Sequence, residues 1–205
     1  STNTLILNYS PQVQSSSSIV LSDKNNWILI SDTLISNGTE QYLTIGNFKN
    51  DSLSDTLFLG QAIEYPGTAM TNTIKDVPNS KLLEMPVNED MQMGITLGLA
   101  LNGTVPISFY PRWNFLLMGT DQIVNHLDKF VEMSNGKCKP KVIIRVAVGS
   151  EYPVDPQCQH KGNFSQAFRS MCQTVEVVEL IEPQDIVPAY EKALKREDGV
   201  STILV

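Results

Sequence analysis

The chain divides by the rhythm of its apolar positions. Over residues 1–54 the apolar runs LILNY, SIVLS, WILISDTLI and QYLTIGNF are separated by SPQ, DKNN, SNGTE and KNDS, the punctuation of a β-rich segment. Asn37-Gly38 is the strongest hairpin signal among these turns. Strands so few and short predict an incomplete β-sandwich. Over residues 55–205 strands alternate with helices instead. TLFLG predicts a buried strand, Tyr65-Pro66-Gly67 a turn, and the residues from there to Ser80 a polar loop. TVPISFY and KVIIRVAV follow as strands, and the β-branched run of the second has the pattern of a central parallel strand covered on both faces. Between them, residues 116–133 read as an amphipathic helix with Leu116, Ile123, Leu127, Phe130 and Val131 on or near one face. A loop over 149–162 leads to a short helix around 164–171, the strand VEVVEL, the helix PQDIVPAYEKALKRE and a last strand, STILV. Successive strand-helix-strand units predict an α/β fold: a mainly parallel sheet flanked by helices, with functional groups where loops leave the strand ends.

The stretch MPVNEDMQMGITLGLALNG, residues 85–103, organises this second part. Pro86 and Asn88 read as a turn with a helix cap, and Met91, Met93, Ile95, Leu97, Leu99 and Leu101 leave hardly any polar face. Such a helix is expected to be buried. Gly94 and Gly98 would let a neighbouring element approach its backbone, offsetting the roughly 1 kcal/mol that each glycine costs in a helix. Glu89 stands at its start, either as a cap favoured by the helix dipole or as a functional acid held in a dry pocket.

Composition narrows the partners. The 205 residues carry a net charge of -7 and a pI near 4.8, and Lys and Arg never cluster, which argues against nucleic acid or an anionic membrane. No apolar run reaches the roughly 20 residues that span a bilayer. Cys138, Cys158 and Cys172 form no CxxC pair and are expected as reduced thiols, which favours a cytoplasmic location. Cys158 and His160 stand two apart, but with His126 as the other histidine no metal site is expected in this chain.

Taken together, TLFLGQAIEYPG, MPVNEDMQMGITLGLALNGTVPISFY, NFLLMGTDQIVNHLDKFVEMS and VIIRVAVGSEYPVDPQCQH resemble the pyrimidine-binding domain of thiamine-diphosphate enzymes. The likeness is nearest to the beta subunit of 2-oxo acid dehydrogenases, with transketolase-like proteins further off, and it covers residues 55–205. It implies that Glu89 contacts the aminopyrimidine of the cofactor and favours the imino tautomer, whose exocyclic nitrogen takes up the proton of the thiazolium carbon. Phe115 falls where the family stacks an aromatic ring on the pyrimidine, and Val87 where it places an apolar wall. His160 matches the histidine on the substrate side, an acid/base or a hydrogen bond to the reacting carbonyl. His126 matches nothing functional and is assigned to a helix surface; Asp121, Gln122 and Asn125 match packing positions. Tyr110-Pro111-Arg112-Trp113 departs from the family's usual wording.

These residues contain no Gly-Asp-Gly, the family's magnesium and diphosphate motif. The resemblance therefore implies a hetero-oligomer in which an alpha-type subunit supplies magnesium and the diphosphate half-site, a lipoyl acyltransferase receives the acyl group, and the isolated chain is inactive. Transketolase-like carbon transfer is the enzymatic alternative. NGTEQYLTIGNFKND resembles jelly-roll-like modules of secreted proteins of gliding bacteria, which implies a carbohydrate-binding or adhesion module with Trp27 and Tyr42 as stacking groups. An inactive fusion fragment is the remaining reading.

Overall fold

The structure is a computed structural model that describes residues 56–67, 69–149 and 155–205. The strands expected over residues 1–54, with Trp27 and Tyr42, lie outside the described residues. What is described is one six-stranded sheet in which every pairing is parallel, as the alternating pattern predicts. Its strands are β1 (Thr56–Gly60), β2 (Leu82–Glu84), β3 (Val105–Tyr110), β4 (Ile143–Val146), β5 (Glu176–Val178) and β6 (Thr202–Leu204), in the order β2-β1-β3-β4-β6-β5. Phe58 aligns with Ile107, Ile107 with Ile143 and Ile143 with Thr202, so a continuous row of side chains crosses the sheet.

The helices are α1 (Ala69–Thr73), α2 (Glu89–Leu101), α3 (Trp113–Leu116), α4 (Phe130–Met133), α5 (Ser165–Met171) and α6 (Ile186–Lys195). They cover two faces. On one, Met93 and Leu97 of α2, Trp113, Leu116 and Phe168 close over Ile144 and Ile203, and the Trp113 and Phe168 rings pack 5.0 Å apart. On the other, Ile63, Ile74 and Ala193 close over Ile107, Phe109, Ile143 and Leu204. Helix α6 begins after a 3-10 turn, Pro183–Asp185, whose Asp185 carboxylate accepts the Glu182 N–H at 3.1 Å, as a first-turn acid should.

Three expectations are corrected. The polar loop reaching Ser80 contains α1, and β2 follows it. Strand β2 has three residues and lies half exposed at the sheet edge, so no periodicity announces it. The single helix expected over 116–133 is broken into α3, a 3-10 turn at Leu117–Gly119, a π-helical stretch at Gln122–Leu127 and α4. Two contacts explain the breaks. A Cβ added at Gly119 would lie 3.3 Å from the Glu89 carbonyl oxygen, so the chain passes α2 at backbone distance. Further on, the Asp128 carboxylate accepts the N–H groups of Gln173, Thr174 and Val175, while its own N–H reaches back five residues to Ile123 at 2.8 Å. The apolar positions survive, with Leu116 and Ile123 fully buried.

The third correction concerns α2. Its inward face is partly polar: the Gln92 amide donates to Ser108 Oγ at 3.0 Å and to the Phe109 carbonyl at 2.9 Å, and Thr96 Oγ1 donates to the Gln92 carbonyl at 2.7 Å. Met93, Leu97 and Ala100 are buried beside these polar groups, while Met91, Ile95 and Leu101 point outward, each more than a third exposed. Nothing lies within 4 Å of a Cβ added at Gly98, and one added at Gly94 would meet the Gln122 side chain at 3.9 Å, so the close backbone approach to α2 is made by Gly119 instead. The helix packs on the sheet and on the segment from Leu116 to Ile123, and its remaining side is uncovered among the described residues.

Candidate functional site

The strand order fixes where a ligand can sit. From β1 the chain first places β2 on one side and then crosses over α2 to place β3 on the other, so the connections diverge between β1 and β3, and a crevice opens beyond the carboxyl ends of those strands. Gln61 follows β1, Glu89 begins α2, and the Arg112–Phe115 turn follows β3. All leave the same edge.

Glu89 owes its place to the cap before it. Asn88 is extended, and its side chain accepts the Met91 N–H at 3.0 Å, which starts the helix one residue after the cap. Glu89 is 8% exposed. Its Oε1 accepts from Gln61 Nε2 at 3.1 Å, whereas Oε2 has no hydrogen-bond partner among the described residues. The backbone is anchored as well: the Tyr110 hydroxyl donates to the Glu89 carbonyl at 3.3 Å, and burial pushes the Tyr110 phenol well above its ordinary range, so it remains a donor. The turn that carries Gln61 is held by Glu84, whose carboxylate accepts the successive N–H groups of Ala62, Ile63 and Glu64, the last two at 2.8 and 3.0 Å. Val87 protrudes from the turn before Glu89 at 82% exposure.

Phe115 and His160 are brought together, their rings stacked at 5.2 Å and 29°. Phe115 comes from α3, which is pinned to the end of β4 by the Trp113 N–H donating to the Ala147 carbonyl at 3.1 Å. His160 ends a 3-10 turn, Cys158–His160, entered through Gln157 at φ 59. Its carbonyl lies 2.1 Å from where Gly149 would carry a Cβ, so any side chain at 149 would push the histidine away. His160 Nδ1 is enclosed and has no partner. Glu89 forms no hydrogen bond to either ring; it shares with them the sheet edge and, through Gly119, the chain segment that follows Phe115. His126 is exposed, 3.7 Å from Asp121, in keeping with a helix-surface role.

Sequence reasoning passed over Gln61, although the position directly after a central parallel strand is where a ligand-facing group is expected. It also passed over Tyr110, whose role depends on a backbone contact that no pattern announces. A groove of about 960 Å³ lies on the opposite face between Ile74, Phe109 and Tyr190, away from α2. Among the described residues no group of three metal-ligating side chains gathers, and no helix is long and apolar enough to cross a membrane.

Fold and edge together define a parallel α/β domain with a buried acid, an aromatic ring and an imidazole at its crevice. No protein-family model matches the chain. It is similar to the pyruvate dehydrogenase E1 component subunit beta of Ascaris suum, 28% identical over 126 residues, which are 62% of this chain and 34% of that protein. The subunit of the same name from Drosophila melanogaster is 24% identical over 168 residues, 77% of this chain and 45% of that one. That of Rhizobium meliloti is 25% identical over 138 residues, 62% and 30%. The chain thus spans between a third and a half of the length of its animal relatives here. The relatives are thus beta subunits of the pyruvate dehydrogenase E1 component, and the motifs quoted above resemble beta subunits of 2-oxo acid dehydrogenases.

Proposed function

We propose that this chain supplies the aminopyrimidine half of a thiamine-diphosphate site in a two-component 2-oxo acid dehydrogenase, with Glu89 as the activating acid. The observation that carries the reading is Glu89 itself: a nearly buried carboxylate at the divergence of β1 and β3, one oxygen fixed by Gln61 and the other without a partner. The donor set fits the cofactor's pyrimidine. Oε2 would accept a ring N–H, Phe115 and Val87 would offer apolar surface on either side of the acid in sequence, and the hydrogen bond from Gln61 keeps the carboxylate from turning away. When bound, thiamine diphosphate supplies the electron sink that decarboxylation of a 2-oxo acid requires. The dry setting strengthens a hydrogen bond to Glu89 and lets it hold or return a proton at Oε2. His160 supplies an imidazole beside Phe115 that would serve the substrate side as a hydrogen-bond or proton-exchange group.

The unpaired face of α2 supports the two-component form. Val87, Met91, Ile95 and Met118 form exposed apolar surface around the Glu89 end of the helix, which is what an interface core presents before its partner arrives. An alpha-type subunit docking there would bring the diphosphate and magnesium half-site to Glu89, and a lipoyl acyltransferase would take the acyl group. Titration calorimetry with thiamine diphosphate and magnesium tests this on the chain alone and on the chain mixed with an alpha-type subunit bearing Gly-Asp-Gly. Binding is expected in the mixture, weakened at least tenfold by Glu89→Ala and by Phe115→Ala. Equal affinity in Glu89→Ala and parent would remove Glu89 from the role, and no binding in the mixture would remove the proposal.

A further inference from the structure

Six enclosed side-chain nitrogen or oxygen atoms lack a hydrogen-bond partner among the described residues, and three of them, Arg112 Nη1, Asn114 Oδ1 and His160 Nδ1, belong to half-buried residues that stand near Phe115 in the chain or stack on its ring. Buried polar atoms are almost always satisfied, because an enclosed donor without an acceptor forfeits its hydration for nothing. On half-buried residues beside the crevice such atoms point to a missing partner. Arg112 is the strongest member. It is half-buried, extended, and placed between the end of β3 and α3, three residues before the Phe115 ring that stacks on His160. It forms no ion pair or hydrogen bond with any described side chain, whereas Arg169 and Arg196 are each paired with carboxylates. A guanidinium cannot shed its charge to escape burial, so its natural complement is an anion that accepts two of its N–H groups.

Building on the proposed function, we infer that Arg112, aided by the neighbouring Asn114, reads a second acidic group on the substrate, making this site selective for 2-oxo acids that carry a distal carboxylate. The chemistry chooses the distal group over the one that leaves. An arginine clamped on the reacting carboxylate would favour the ground state and be lost as carbon dioxide departs, which opposes decarboxylation; on a carboxylate that stays, the same contact persists through the reaction and contributes to binding and orientation. The inference also gives a reason for the departure of Tyr110-Pro111-Arg112-Trp113 from the family's wording.

The binding test needs no cofactor. Thermal unfolding of the chain is followed with malonate, succinate and glutarate, and with propionate, butyrate and pentanoate as equal-length controls. At least one dicarboxylate is expected to raise the midpoint above its control in the parent and in Arg112→Lys more weakly, with no difference in Arg112→Gln. In the assembled enzyme, with an artificial electron acceptor, Arg112→Gln is expected to lower kcat/KM for 2-oxoglutarate about 10- to 100-fold, mainly through KM, and to leave 2-oxopentanoate unchanged. If no dicarboxylate protects the parent better than its control, the inference is overturned even where thiamine diphosphate binds. If dicarboxylates protect through Arg112 while the cofactor fails to bind, the acid-reading site stands and the thiamine reading falls. Equal losses for the charged and uncharged oxo acids also sink it.

Discussion

Asp128 is the residue on which the broken segment behind the site depends, and its replacement has a calculable cost. It is 1% exposed, and its carboxylate accepts the N–H groups of Gln173 and Thr174 at 3.0 and 2.7 Å, that of Val175 at 2.9 Å, and the Lys129 ammonium at 2.8 Å. Enclosure alone would raise its pKa; the Lys129 ammonium and the three backbone donors outweigh that and hold it well below the usual carboxylate range. In Asp128→Ala the Val175 N–H, at a buried residue, is left without an acceptor, a loss of about 1–3 kcal/mol, whereas water reaches the exposed Gln173 and Thr174 and reduces theirs. The sum is about 3 kcal/mol, a large part of the roughly 5–15 kcal/mol that holds a domain together. The sign of the pH dependence follows from the depressed value. The unfolded chain binds the proton more tightly, so the stabilisation is complete above about pH 4–5 and is lost as pH falls below the ordinary aspartate value near 4. Urea unfolding at pH 7 and in steps from about pH 5 down to about pH 2.5 measures both effects. Asp128→Asn, which keeps one acceptor oxygen, should fall between parent and Ala at pH 7 and show a flatter acid limb than the parent. A loss under about 1 kcal/mol in Asp128→Ala, or an acid limb unchanged in Asp128→Asn, would refute the reasoning.

Gly98→Ala separates the fold from the assembly. No described atom meets the added Cβ, so the isolated chain should gain about 0.8–1 kcal/mol from helix propensity, while association with an alpha-type subunit weakens if that partner packs on the α2 backbone; unfolding midpoints and sedimentation of the mixture give the two numbers, and tighter association in the variant would contradict the docking face. Glu84→Gln removes charge from the acceptor of three successive N–H groups and should cost about 1–2 kcal/mol by urea unfolding, together with weaker cofactor binding in the assembled enzyme because the turn carrying Gln61 loosens; unchanged values for both would show that the turn holds without it.

The parallel sheet was legible because its strands advertise themselves. The KVIIRVAV run includes β4, which pairs on both sides, and the strand-helix alternation leaves little choice of architecture. Strand β2 was not legible, since three half-exposed residues carry no period. The division of residues 116–133 was hidden for a different reason: the apolar spacing there is helical, and the breaks come from Gly119 passing the Glu89 backbone and from Asp128 reaching residues far along the chain. Glu89, Phe115 and His160 were named from motif wording, not from periodicity, and the stacking of the last two is a tertiary fact that no spacing of 45 residues encodes.

The helix α2 shows how a pattern can be read correctly and interpreted wrongly. Met93, Leu97 and Ala100 are covered as expected, but the covered side also carries Gln92 and Thr96, with Ser108 hydrogen-bonded to both, so Met91 and Ile95 are left outside. Those polar contacts fix one rotation of the helix, because any other would leave the buried amide and hydroxyls without partners. The rotation has two consequences at once. It turns Met91 and Ile95 outward as uncovered apolar surface, and it sets Glu89 where Gln61 and the Tyr110 hydroxyl reach it. The hydrogen bonds on the inner face of α2 therefore couple the placing of the acid to the exposure of Met91 and Ile95, so that under the proposed function a partner settling on the one would arrive at the other.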